Sequence, residues 1–220
     1  MHIAIDGPSG AGKSTIAKAL AQRLGLTYLD TGAMYRAVGL KALRLGLDLR
    51  DAAALEGMLK GTTLRVERGE NGLDQRLFLD GEEISAAIRS SEVTWAATVV
   101  STLLPVRAWL VSMQREIAKG QDIVMDGRDI GTKVLPDADF KFFLTADDAI
   151  RAARRHLELR QKGENIALET VLTELRRRDL QDSTRAESPL TLAKDATVVD
   201  SGDLSIDEVV ELLLALMGKA

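Results

Sequence analysis

The residues Gly7 to Thr15, GPSGAGKST, place glycines, a lysine and two hydroxyls in the frame G-x-x-x-x-G-K-[ST] without a mismatch. Such a frame holds phosphate. Gly7, Gly10 and Gly12, with Ala11 among them, let backbone N–H groups approach an anion without side-chain clashes. Lys13 reaches the outer phosphates, and the Ser14 hydroxyl suits a magnesium ion, with Thr15 beside it. The plainer alternative is a glycine-rich strand-to-helix turn with an exposed lysine. The apolar run HIAID before the loop and a helical pattern after it argue for phosphate.

A phosphate loop leaves the use of the nucleotide open. No N-K-x-D stretch reads guanine, and no LSGGQ-like signature marks a transporter ATPase. A small phosphotransferase remains, and it needs an acceptor site lined by cations. Four clusters offer one. The first, Asp30 to Arg36, brings Thr31, Tyr35 and Arg36 together after a short strand. Helix capping accounts for Thr31 and packing for Tyr35, but neither employs Arg36. The second, DGRDIGT after the run DIVMD, aims Arg128 and Asp129 from the carboxyl end of a strand, where open α/β sheets bind ligands. The third sets Arg151, Arg154 and Arg155 on one helical face, to gather an anion or to form a solvated charged face. The fourth, RRRDLQDSTR, spaces Arg178, Asp182 and Arg185 along one face if its helix persists; Arg176 and Arg177 read as surface charge.

The elements that must carry these groups are legible from periodicity. Strands are expected at His2–Asp6, Thr27–Asp30, 122–127, 139–144 and 196–200, separated by helical segments. That alternation predicts a five-stranded parallel sheet with helices on both faces, and with the phosphate loop after its first strand the expected fold is three-layer α/β of the phosphate-loop (P-loop) NTPase type. Residues 1–220 then form a single domain. One stretch departs from the alternation. TTLRVE and QRLFLDG alternate at period two around an Asn71-Gly72 pair, predicting a β-hairpin within an insertion over 62–92.

Composition narrows the partners. The chain is 45% hydrophobic and 28% charged with net charge −4, so nucleic acid is not an expected ligand and any polyanion site is local. Cysteine is absent and only two histidines occur, which removes thiol chemistry and leaves no metal-ligand spacing. No apolar run approaches a membrane span and the N-terminus reads as a strand, so a cytoplasmic protein is expected.

Taken together, GPSGAGKST, LDTGAMYR, MDGRDIGT, RAARRHLELRQKG, RRRDLQDSTRAESPL and VVDSGDLSIDEVV resemble the bacterial cytidylate (CMP) kinases across nearly the whole chain. The resemblance implies a monomeric enzyme that moves the ATP γ-phosphoryl group to CMP or dCMP with Mg²⁺. It implies that Gly10 to Thr15 hold the ATP phosphates and that Ser14 meets the metal. Arg36 and Arg128 would grip the CMP phosphate. Thr31, Arg107, Asp129 and Arg185 would read the base, with Tyr35 nearby. Arg178, Asp182 and Thr98 would hold the ribose, Ser101 being the other register for the hydroxyl. Arg154 and Arg155 would act on the transferring group, with Lys13 and Arg128, from an arginine-rich lid over 147–165. Another small-molecule P-loop kinase, or a non-catalytic nucleotide switch that needs no acceptor arginines, stays open at this point.

Overall fold

The computed structural model describes residues 1–69, 75–161 and 163–219. The chain opens with β1 (His2–Asp6), whose last four residues are buried, and passes through the glycine loop into α1 (Lys13–Leu24). There follow β2 (Thr27–Asp30), α2 (Thr31–Arg44) and α3 (Ala52–Lys60). Three antiparallel strands come next: β3 (Leu64–Arg68), β4 (Gln75–Leu79) and β5 (Glu82–Glu83). Then come α4 (Ser91–Val100), α5 (Leu104–Ala118), β6 (Ile123–Asp126) and β7 (Phe140–Thr145). The chain finishes with α6 (Asp148–Gln161), α7 (Leu168–Thr184), β8 (Thr197–Asp200) and α8 (Ile206–Leu216).

The main sheet has the order β2-β6-β1-β7-β8, and every pairing is parallel. Its period-two alternation feeds two cores. Ala4, Leu29, Ile123 and Met125 face α2, α3 and α5 through Met34, Val38, Leu55 and Leu110. Ile3, Ile5, Val124, Phe142 and Leu144 face α1 and α8 through Ile16, Leu20, Val210 and Leu213. The expected three-layer arrangement is therefore present, with all five strands where the sequence places them. Among the described residues no single helix is long and apolar enough to cross a membrane.

The hairpin strands pair Leu64 with Leu79 and Val66 with Leu77. Leu64, Leu77, Leu79, Ile84 and Ile88 belong to the same core as α2 and α5. The insertion is thus fused to one face of the main core. The Asn71-Gly72 turn expected at its tip lies outside the described residues. A local difference appears at the start of α2. Asp30 is the cap there, its carboxylate accepting from the Ala33 N–H at 2.9 Å, which leaves Thr31 free of capping.

Candidate active site

The carboxyl ends of β1, β2 and β6 open into a cleft of about 350 Å³. Gly10, Gly12, Lys13, Ser14 and Thr15 form one wall. Thr31, Tyr35, Arg36, Thr98, Arg107, Arg128, Asp129, Arg155, Arg178, Asp182 and Arg185 also face it. Among the described residues, one lysine and seven arginines line it against five carboxylates, in a chain whose net charge is −4. The excess of positive groups is local to this cleft.

On the loop side Lys13 is buried and donates to the Pro8 carbonyl at 2.6 Å. Burial, and next the Arg128 charge, pull its pKa down. Ser14 Oγ donates to Asp126 Oδ2 at 2.8 Å, and the Tyr28 hydroxyl donates to Asp126 Oδ1 at 2.8 Å. Burial, and then the Asp30 charge, push the Asp126 carboxyl up. Asp126 closes the run DIVMD, and the sequence alone assigns it no task. Its signal was an acidic residue closing a buried strand, and only the β1–β6 pairing brings it to the loop hydroxyl. Ser14 and Asp126 are hard oxygen donors of the kind magnesium takes beside substrate phosphates, so this donor set fits that ion.

Gly7 and Ala11 do not line the cleft. Gly7 has φ 146°, and a Cβ there would meet the Leu144 carbonyl oxygen at 2.0 Å, so this glycine serves the β1–β7 packing. Ala11 is buried in the core against α1. Both shape the loop from behind.

At the far end the charges alternate. Arg107 and Asp129 form a buried ion pair. Asp129 lies 3.8 Å from Arg185, Arg185 lies 3.7 Å from Asp182, and Asp182 accepts from Arg128 Nε at 2.8 Å. The Arg107 guanidinium sits 5.6 Å from the Tyr35 ring centre and donates to the Ser101 carbonyl at 3.1 Å. The helix α7 carries Arg178 and Asp182 but ends at Thr184; Arg185 is its extended C-cap residue, with φ −61° and ψ 142°, so it reaches Asp182 and Asp129 from beyond the helical face. Asp129 is itself anchored from behind. Asp6, at the end of β1, accepts from the N–H groups of Ile130 at 2.8 Å and Gly131 at 2.7 Å. Asp6 is a second residue that sequence reasoning missed.

Among the described residues three arginines of the cleft keep a buried nitrogen without a hydrogen-bond partner: Arg107 and Arg178 at Nε, and Arg185 at Nη2. Arg178 is half-buried, its Nε has no partner and it forms no ion pair among the described residues. Burial, and then Arg128, lower it to about 10. Such a cation suits an anionic or hydroxyl-rich ligand. Arg36 pairs with Asp30 at 2.8 Å at the cleft's edge, and Gln75 of β4 accepts from the Asp30 N–H at 2.8 Å, tying the insertion to this wall. Thr31 donates to the Asp126 carbonyl at 2.7 Å, so its hydroxyl offers the cleft only acceptor capacity. Thr98 and Ser101, one turn apart, both line the cleft.

The arginine cluster on α6 does not converge on one anion. Arg151 is buried and bonds the Ser9 carbonyl at 2.9 Å. Arg154 donates to the carbonyls of Ser201 at 2.6 Å and Gly202 at 3.1 Å. Arg155 alone of the three lines the cleft, 3.0 Å from Glu158. The shared face foreseen from spacing is split because each long side chain finds its own acceptor.

A glycine-rich loop forming one wall of a cleft that also carries seven arginines is the arrangement of a small-molecule P-loop kinase. Solved structures agree at the level of fold. A shikimate kinase from Bacteroides thetaiotaomicron matches with TM-score 0.51 at 16% identity, covering 99% of this chain and 98% of that one. A gluconokinase from Sinorhizobium meliloti matches with TM-score 0.50 at 15% identity, covering 99% and 91%. Sequence relatives are far nearer. A cytidylate kinase of Caldanaerobacter subterraneus subsp. tengcongensis is 50% identical over 96% of this chain and 92% of its own. One from Caldicellulosiruptor bescii is 48% identical over 100% and 96%. Residues 3–219 match the family described as cytidylate kinase, and the chain belongs to that family.

Proposed function

We infer that the protein transfers the γ-phosphoryl group of ATP to CMP or dCMP, giving ADP and the diphosphate. The observation that carries the acceptor assignment is Asp129. It is buried opposite the phosphate loop, paired with Arg107, approached by Arg185 and anchored by Asp6 through the next two peptide groups. A carboxylate so fixed accepts from the exocyclic amine of cytosine and repels the uracil carbonyl at the same place. Arg107, Arg185 and the lone pairs of Thr31 complete the base end. Arg178, Asp182 and Thr98 would hold the ribose, while the Tyr35 ring lies against Arg107 at the base end.

Arg36 and Arg128 take the acceptor phosphate, and Lys13 with the amides of Gly10 to Thr15 takes the donor phosphates. Ser14, with Asp126, would hold the magnesium ion that accompanies ATP; when bound it offsets charge on the terminal phosphates. No side chain need abstract a proton, because the attacking phosphate oxygen is already anionic. The residues align the two phosphates and offset their repulsion. Arg155 adds charge from the segment 147–165, whose closure together with the insertion 62–92 would exclude water.

The test is ADP production from Mg·ATP with CMP, dCMP, UMP, AMP or no acceptor at equal concentration. Strong turnover with CMP and dCMP and little with UMP is expected. Turnover no higher than without an acceptor would overturn the assignment.

A further inference from the structure

Of the three arginines on α6, Arg151 faces away from the cleft. Its guanidinium grips the phosphate loop from outside. Arg151 Nη1 donates to the Ser9 carbonyl at 2.9 Å, while the Ser9 N–H donates to Asp179 Oδ1 at 3.1 Å. Arg151 and Asp179 also form an ion pair with each other. Ser9 is therefore held at both its main-chain polar groups by one ion pair. The pair is itself fixed: Arg151 Nε donates to the Ala146 carbonyl at 2.9 Å, and Arg151 also pairs with Asp148. The next residue leaves no slack, since a Cβ on Gly10 would lie 3.2 Å from Arg151 Cβ.

A buried ion pair is weak evidence for stability, because apolar side chains of similar volume hold helices together as well. What the charges add here is direction. They orient the peptide that opens the donor loop, where amides must converge on phosphate. They also join that loop to α7 at Asp179, the immediate neighbour of Arg178 and one turn before Asp182. We propose that Arg151 and Asp179 are positioning residues that set the donor phosphate loop against the acceptor-binding helix. The proposal rests on the loop holding the donor, as in the function given above.

The experiment compares Arg151→Lys, Arg151→Met, Asp179→Asn and the double variant Arg151→Met/Asp179→Asn with the wild type. Kinetic constants for ATP and CMP are measured, together with ATP affinity by calorimetry without acceptor and the melting temperature. Arg151→Met is expected to weaken ATP on the order of tenfold and lower kcat, with CMP KM changed by less than about twofold. Asp179→Asn keeps an acceptor for the Ser9 N–H and should fall between it and the wild type. The double variant should be no worse than Arg151→Met, because the pair acts as one unit. Folded variants with wild-type ATP affinity, or with ATP and CMP weakened equally, overturn the proposal. If Arg151→Met does not fold, Arg151→Lys and Asp179→Asn decide by the same split. Absence of CMP-dependent turnover in the wild type would instead count against the function, while the calorimetry still tests the clamp.

Discussion

Arg107 and Asp129 are joined in an ion pair whose side chains are only 4% and 7% exposed. Neither charge reaches bulk water, so each depends on the other. Removing Asp129 leaves a buried guanidinium with the Ser101 carbonyl and the Tyr35 ring but no counter-charge in contact among the described residues. Asp129→Ala should therefore destabilise the fold by about 3–5 kcal/mol, while Asp129→Asn, which preserves volume and one acceptor, costs less. Both should bring kcat/KM for UMP closer to that for CMP. Urea unfolding alongside the two specificity constants checks this, and an unchanged CMP/UMP ratio in a folded variant would remove Asp129 from base reading.

Arg178 is the opposite case, a half-buried cation without an ion pair among the described residues, its Nε enclosed and unpartnered. It lies near Arg128, whose charge lowers its pKa further. Such a group costs stability in the free protein. Arg178→Met should leave the melting temperature equal or higher while kcat/KM for CMP falls about 100-fold. A drop in both would make Arg178 a structural residue.

Asp6 gives a pH dependence of definite sign. Burial, only partly offset by the Gly131 and Ile130 N–H groups, raises its pKa from the ordinary 3.8 to about 6. Between those values the folded protein binds the proton more tightly than the unfolded chain. Its contribution to stability is thus fully present below about pH 4 and is lost as pH rises to about 6. Across that window Asp6 should take away about 3 kcal/mol. Asp6→Asn lacks the titration, so the unfolding free energy of the wild type minus that of the variant should shrink as pH rises. A difference that stays flat or widens would show that Asp6 does not titrate there.

Gly7 and Gly12 separate folding from phosphate binding. A Cβ at Gly7 would strike the Leu144 carbonyl at 2.0 Å, and φ is 146°; at Gly12 a Cβ meets open space but φ is 82°. Gly7→Ala should lower yield and melting temperature severely. Gly12→Ala should cost about 1–2 kcal/mol, with ATP KM rising. Melting curves of both variants with and without ATP distinguish the two effects.

The strands and most helices were legible because each buries a periodic apolar set, and the phosphate loop because its chemistry lies in one continuous run. The wall of the cleft facing the phosphate loop was legible only as separate clusters, which the resemblance assembled. Asp6 and Asp126 were not assigned because their tasks depend on strand neighbours more than a hundred residues away. Helical spacing could set Arg151, Arg154 and Arg155 on one face but could not say which acceptors their long side chains reach.

That last distinction separates two arginines adjacent in sequence. Arg154 spans to the Ser201 and Gly202 carbonyls, and Ser201 Oγ in turn donates to the Ala11 carbonyl at 3.0 Å. Arg154 thus braces the loop after β8 against the back of the phosphate loop. Arg155 lines the cleft, and among the described residues its ion-pair partner is Glu158 on its own helix. Their alanine variants should diverge. Arg155→Ala removes a cation available to the transferring group, so kcat should fall about 10- to 100-fold with ATP KM little changed. Arg154→Ala loosens the loop, so ATP KM should rise several-fold with a smaller loss of kcat. Steady-state kinetics with ATP varied at saturating CMP reads both constants. A larger kcat loss for Arg154→Ala than for Arg155→Ala would mean that its side chain leaves the Ser201 loop during turnover and works in the cleft.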